Sequence, residues 1–209
     1  MEAQYDHMTE AGECCMCGRY FIGPAGETGW LQEMLAHIER RYHGSNALTD
    51  MRLGEIYPSQ VVPIIAQDGP RLMKWGYTGY KNRVINARSE TAFEKPMFRH
   101  SMRSRRCLIP ASGYYEWQRT SSGAKTKQKY AFYRPGQPIY MAGVWREEKA
   151  EALPVFVILT REAAPDIAAI HDRMPVILPD SAISDWLSGP NPGTLLTQAL
   201  RDLTCYPVS

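Results

Sequence analysis

Four short segments place reactive side chains in settings that could do chemistry. The first is Met16-Cys17-Gly18-Arg19. A methionine directly before a cysteine matters because methionine can be an initiator. Its removal would leave Cys17 with an α-amine and a thiol on one residue. Such a 1,2-aminothiol condenses with an aldehyde to an imine, and its own sulfur then closes a five-membered thiazolidine. Gly18 lets backbone approach a ligand closely, and the guanidinium of Arg19 can grip an anion. The plainer reading of the same cysteine is a buried or exposed thiol with no reaction to perform.

The second segment, Arg83–Thr91 (RVINARSET), reads as a strand ending in Asn-Ala-Arg. Alternate strand residues face the same way, so Asn86 and Arg88 share a face, where an amide can orient a nucleophile and a guanidinium can hold a phosphate. A strand-end Asn satisfying backbone groups beside a surface Arg would look the same. The third is Gly113-Tyr114-Tyr115-Glu116-Trp117, in which Glu116 is the only acid between Glu94 and Glu147. Aromatic neighbours raise a carboxyl's pKa and suit it to acid/base work, whereas the basic surroundings pull it down and offer a salt bridge instead. The fourth is Ile170–Pro175 (IHDRMP), where His171 is a candidate proton shuttle and Arg173 a second anion contact.

These residues need elements to hold them. The clearest helix runs from Thr28 to His43, with Leu31, Met34, Leu35, Ile38 and Tyr42 on one face, Thr28 as cap and Gly44 as terminator. A second is expected from Pro96 to Arg105 with proline first, a third over 182–187 capped by Asp180, and a short fourth within 162–170. Strands are expected at 19–22, 61–66, 71–77, 83–87, 107–109, 114–118, 130–133, 139–144, 155–160 and 176–178, all short and bounded by Gly, Pro or Ser. Thr120–Lys129 (TSSGAKTKQK) reads as a flexible basic loop. The fold class is α+β and β-dominated, a mostly antiparallel, barrel-like sheet core with peripheral helices.

At 209 residues, 44% hydrophobic and 22% charged, the chain suits one globular domain. Its apolar runs, such as Pro154–Leu159, fall far short of the ~20 residues that span a bilayer. The first fifteen residues carry four acids and no Lys or Arg, which is not a signal peptide. Five cysteines (14, 15, 17, 107 and 205) then read as reduced thiols of a cytosolic protein. The Cys14-Cys15-x-Cys17 run lacks a matched second pair at ligand spacing, even counting Cys107 and His171, so neither metal nor cofactor is expected. Net charge is +2, but residues 71–134 hold fifteen Lys/Arg against three acids, leaving nine against nineteen elsewhere. A +12 segment against a −10 remainder is the pattern of a protein that tracks phosphates, or of a solvated basic face.

In order along the chain, MCGRY, NARSET, GYYEW and HDRMP resemble the SOS response-associated peptidase (SRAP) family, the abasic-site processing proteins. That family's pattern is an N-terminal MCGR, a central NAR-x-E-T, a G-x-(Y/F)-E-W strand and a late HDR-x-P. The resemblance covers roughly Cys17 to Tyr206 and implies one SRAP-like domain over 17–209. It implies recognition of single-stranded DNA containing an abasic site, and a covalent thiazolidine link to the sugar aldehyde that shields the lesion. By motif, Cys17 would be the nucleophile, Asn86 would position it, Glu116 would be the acid/base for ring opening and imine formation, and His171 would assist proton transfer and reversal. Gly18, Arg19, Pro58, Tyr80, Arg88, Thr160 and Arg173 would form the DNA-binding set, with the arginines on phosphates and Tyr80 stacking on a base.

Three departures stand out. The family's Asn three residues before a proline is Glu55 here, within LGEIYP at 53–58, and its W-G-x-x-P-x-W is shortened to Trp75–Tyr80 (WGYTGY). Residues 1–16 read as a leader or mis-assigned start absent from the active protein, because an internal cysteine cannot close a thiazolidine. Initiation at Met16 or proteolysis would free Cys17. The expected state is a monomer in the cytoplasm, nucleoid-associated if bacterial, without membrane contact. The competing readings are a thiol peptidase using Cys17 with His171 and Glu116 on its own leader or other proteins, and a non-catalytic single-strand binding module.

Overall fold

β-Branched and aromatic residues dominate the segments that pair into sheets. The protein is described from a computed structural model over residues 17–23, 29–118 and 127–208. In chain order the strands are β1 (Arg19–Ile22), β2 (Gly54–Ile56), β3 (Val61–Ala66), β4 (Gly69–Trp75), β5 (Asn86–Arg88), β6 (Arg106–Ala111), β7 (Gly113–Trp117), β8 (Lys129–Tyr133), β9 (Ile139–Arg146), β10 (Val155–Glu162), β11 (Arg173–Pro175), β12 (Ile177–Leu178) and β13 (Thr204–Val208). The helices are α1 (Gly29–Tyr42), α2 (Asn46–Asp50), α3 (Arg99–Ser104), α4 (Pro165–Ala168), α5 (Ile183–Ser188) and α6 (Pro192–Leu195).

The strands form two sheets. The smaller, ordered β13-β8-β7-β1-β2, is antiparallel throughout. The larger runs β11-β10-β4-β3-β6-β9-β12, with β5 beside β10, and β9 pairs back onto β10. β10 takes β4 and β5 as parallel neighbours and is buried along six of its eight residues. A strand covered on both faces reads as the continuous apolar run Val155–Leu159 rather than as an alternation.

That strand divides two cores. Phe156 and Ile158 join Tyr20, Ile22, Tyr114 and Phe132 of the small sheet, together with Trp75, Leu31 and Met34, in the space between the sheets. Val155, Val157 and Leu159 face the opposite way, into a second cluster with Met102 of α3, Trp186 of α5 and Leu195 of α6. The molecule is thus layered as sheet, core, sheet, core, helices.

Several local expectations are corrected. The second helix starts at Arg99, because turn bonds from Lys95 N–H to the Thr91 carbonyl and from Phe98 N–H to the Lys95 carbonyl occupy the segment around Pro96. Asp180 makes no capping hydrogen bond; it opens a 3-10 turn, Asp180–Ala182, that leads into α5. The fourth helix shrinks to Pro165–Ala168, since β10 continues through Glu162 and proline sets the first helical position. The strand expected over 83–87 is shortened and moved to Asn86–Arg88, and that over 71–77 is shifted to Gly69–Trp75. Gly44 ends α1 as anticipated, at φ +74°, where a Cβ would be strained. Thr28, the expected leader over 1–16 and residues 120–126 of the basic loop lie outside the described residues.

Candidate active site

β1 and β7 lie antiparallel with Arg19 opposite Tyr115, Tyr20 opposite Tyr114 and Phe21 opposite Gly113. Strand alternation then turns Tyr20, Tyr114 and Glu116 toward the inter-sheet core, and Arg19, Tyr115 and Trp117 outward. Gly113 is required at its crossing: a Cβ there would stand 2.4 Å from the Phe132 carbonyl oxygen and 2.6 Å from the Phe21 ring. Cys17 enters β1 from this side and is 1% exposed, in the same apolar cluster as Tyr20 and Tyr114. Its backbone N–H donates to Glu116 Oε1 at 2.5 Å. Glu116 is itself 2% exposed, so the sheet presents a buried carboxylate to the nitrogen of residue 17.

The large sheet contributes from across the core. β5 is in register with β10, with Asn86 beside Ile158, Ala87 beside Leu159 and Arg88 beside Thr160. Ile158 lines the cluster that holds Cys17, whereas Leu159 and Ala87 line the helix-side cluster. Asn86 and Arg88 therefore share the Cys17 side of the sheet, as their spacing anticipated. His171 follows α4, is 3% exposed, and is the chain neighbour of Ile170 in the same cluster as Cys17. The Arg173 N–H donates to His171 Nδ1 at 3.1 Å. The Arg173 carbonyl oxygen and Asp172 Oδ1 each lie 3.3 Å from the same nitrogen, so backbone and carboxylate together hold the ring in place.

Electrostatics separates the two chemistries proposed for Cys17. Burial, and then the nearby Glu116 carboxylate, push its thiol well above the usual range. Tyr20 and Tyr114 are raised for related reasons, first burial and then the Cys17 thiol. Their hydroxyls are buried without a hydrogen-bond partner among the described residues. A cysteine here is a neutral thiol, and a thiolate is what a cysteine peptidase needs.

Of the anion-contact candidates, Arg88 and Tyr80 are exposed, Tyr80 fully, and a Cβ on Gly18 would meet nothing within 4 Å. Pro58 is half-buried beyond β2. Thr160 is fully buried, and its carbonyl accepts from the Arg173 guanidinium at 2.8 Å and from Ser89 N–H at 2.8 Å. It is placed as a support for Arg173 rather than as an exposed contact. Arg173 also makes a two-pronged pair with Glu90, at 2.6 and 2.8 Å. Burial would raise the Glu90 carboxyl, but the Arg173 and backbone hydrogen bonds outweigh it and hold the group below its ordinary value. Arg19 is flanked by the Tyr57 and Trp117 rings and bonded to Glu55, which Lys129 also reaches. Glu90, Lys129 and the Tyr20–Tyr114 pair had no assigned role in the sequence. Glu90 was visible within NARSET, but its partner lies 83 residues away.

A family profile described as "SOS response associated peptidase (SRAP)" matches residues 16–209. The chain belongs to the SRAP family. Among SRAP relatives, the Bacillus subtilis protein "Abasic site processing protein YoaM" is 35% identical over 176 residues, covering 74% of this chain and 76% of its own. "Abasic site processing protein HMCES" from Gallus gallus is 30% identical over 177 residues, covering 72% of this chain and 48% of its own. The crystal structure of a phage-related protein from Bordetella bronchiseptica superposes with a TM-score of 0.69 at 25% identity, covering 92% of this chain and 94% of its own. Among the described residues, no helix is long and apolar enough to cross a membrane.

Proposed function

We propose that this SRAP protein senses abasic sites in single-stranded DNA and captures them covalently through Cys17 once that residue is N-terminal. The observation that carries the reading is the contact between the residue 17 nitrogen and the buried Glu116 carboxylate. A free α-amine at that position keeps the same carboxylate partner. It also loses the φ torsion, which at +43° holds Cys17 in the left-handed region that costs a non-glycine residue about 1–2 kcal/mol.

The chemistry follows in balanced steps. The closed hemiacetal of the abasic sugar opens to an aldehyde with proton transfer through Glu116. The neutral amine, whose reference pKa is about 7.7–8.0, attacks C1′. The resulting carbinolamine expels one water, its oxygen protonated by Glu116 or His171, to give an imine. The Cys17 sulfur then adds to the imine carbon, its proton passes to nitrogen, and the five-membered ring is closed. The neutral thiol suits this last step, because the amine rather than a thiolate makes the first bond. The same neutrality weighs against the thiol-peptidase reading. Asn86, on the Cys17 side of the large sheet, orients the nucleophile, and Arg19, Arg88 and Arg173 meet flanking phosphates, which carry no base information.

Protein beginning at Cys17, verified by intact mass, is expected to form a heat- and SDS-stable adduct with single-stranded DNA holding one abasic site. Its mass should equal protein plus DNA minus one water. No adduct while the aldehyde remains chemically intact would overturn the reading.

A further inference from the structure

Glu55 sits on β2 opposite Phe21 of β1, on the outward face of the small sheet. Its Oε1 atom accepts from two cations, Arg19 Nη1 at 3.2 Å and Lys129 Nζ at 2.7 Å. Both cations are also held by aromatic faces. The Arg19 guanidinium lies 4.6 Å from the Tyr57 ring centre and 4.8 Å from that of Trp117, and the Lys129 ammonium lies 3.8 Å from that of Tyr115. The rings fix where the two charges stand, so Glu55 adds neutralisation more than placement. Two cations converging on one oxygen, beside the open backbone of Gly18 and two residues from Cys17, is the arrangement a phosphate oxygen would find. Side-chain exposures of 38% for Arg19 and 30% for Glu55 keep this cluster accessible, and one carboxylate against two cations leaves a positive remainder.

We propose that Glu55 sets the affinity for single-stranded DNA by occupying Arg19 and Lys129 in place of a phosphate, so that the strand must displace it to bind. This rests on the DNA reading given above. Part-exposed ion pairs are weak and screened, so a polyanion can displace this one, yet every bound strand forfeits it. Removing the carboxylate should therefore tighten binding and steepen its salt dependence by about 0.7, because the displaced Glu55 charge no longer offsets one phosphate at the site.

The test compares wild type, Glu55→Gln and Glu55→Asn for binding to an unmodified single-stranded oligonucleotide across a salt series, with thermal unfolding as the folding control. Both variants are expected to bind about three- to tenfold more tightly near 0.1 M salt, with a slope steeper by about 0.7. The gain should vanish when Glu55→Gln is placed on an Arg19→Gln, Lys129→Gln background. A gain that persists undiminished there is a long-range charge effect and overturns the proposal. So does unchanged or weaker binding by folded Glu55 variants when wild type binds. If neither wild type nor variants bind single-stranded DNA, the DNA reading falls and takes this proposal with it.

Discussion

At the scale of residues, the site depends on which atom of Cys17 reacts first. Its nitrogen faces Glu116 at 2.5 Å, while its thiol is kept neutral by burial and by that same carboxylate. Glu116 thus bears on both halves of the aminothiol, with burial the larger influence on the sulfur, and the roles of the two side chains can be tested separately. Cys17→Ser, with the substituted residue N-terminal, should keep an amine able to form an imine that borohydride can trap. It should lose the adduct that survives heat and SDS, as read on a denaturing gel. Glu116→Gln keeps the shape of the site and removes the proton donor. Adduct formation should slow by about 10²–10⁴-fold, the usual worth of a positioned acid/base, while single-strand affinity stays within about twofold. Equal rates for Glu116→Gln and wild type would remove Glu116 from the chemistry.

Among the elements, β6 ties the large sheet to the helix layer through one side chain. Arg106 is 6% exposed, and its guanidinium donates to the carbonyls of Met102 at 3.1 Å and Arg103 at 2.9 Å in α3. It also donates to the carbonyls of Trp186 and, at 2.7 Å, Gly189 at the end of α5. These are helix-end carbonyls that no intrahelical N–H reaches, and here one planar fork satisfies the ends of two helices. Burial depresses the Arg106 pKa, a cost offset by those four acceptors. Arg106→Leu should destabilise the protein by about 3–5 kcal/mol, because several buried acceptors lose their partner together. Urea unfolding measures the loss. Below the unfolding transition the adduct rate should be unchanged, since Arg106 packs on the helix side of the sheet and Cys17 on the other.

For the whole molecule, the +12 segment is partly paired off among the described residues. Arg71 pairs with Asp68, Lys74 and Arg83 with Glu151, and Lys129 with Glu55, so acids from outside the segment hold these four of its fifteen bases. Arg88 remains exposed on the Cys17 side. Those pairs make the fold acid-sensitive in a definite direction. Hydrogen bonds from Arg71 bring Asp68 down to about 2, and those from Lys74 and Arg83 lower Glu151. Folded values below the unfolded ones mean that the stabilisation is complete above about pH 4.5 and is lost as pH falls toward 2. The thermal midpoint should be flat from pH 7 to 5 and decline below about 4.5. Added salt at neutral pH should weaken the same part-exposed pairs. A midpoint that does not fall on acidification would show that these pairs contribute nothing to stability.

Much was legible before any tertiary contact. Strands β1 and β3 match their expected bounds, because short runs rich in aromatic and β-branched residues between turn formers leave the chain few alternatives. The four motifs identified the family, and spacing alone placed Asn86 and Arg88 on one face. β2, β11 and β13 were not legible, since three polar or mixed residues, or an exposed TCYPV, become strands only when a neighbour supplies the ladder. Pairings across long stretches of chain were equally invisible: Cys17 with Glu116 over 99 residues, Arg173 with Glu90 over 83, and Lys129 with Glu55 over 74. Local sequence thus determined which residues carry reactive groups and which way each points from its own strand. Only the stacking of two sheets decided which of those groups meet. A carboxylate's pairing with a cation or an amine is set by distance in space, which sequence separation does not encode.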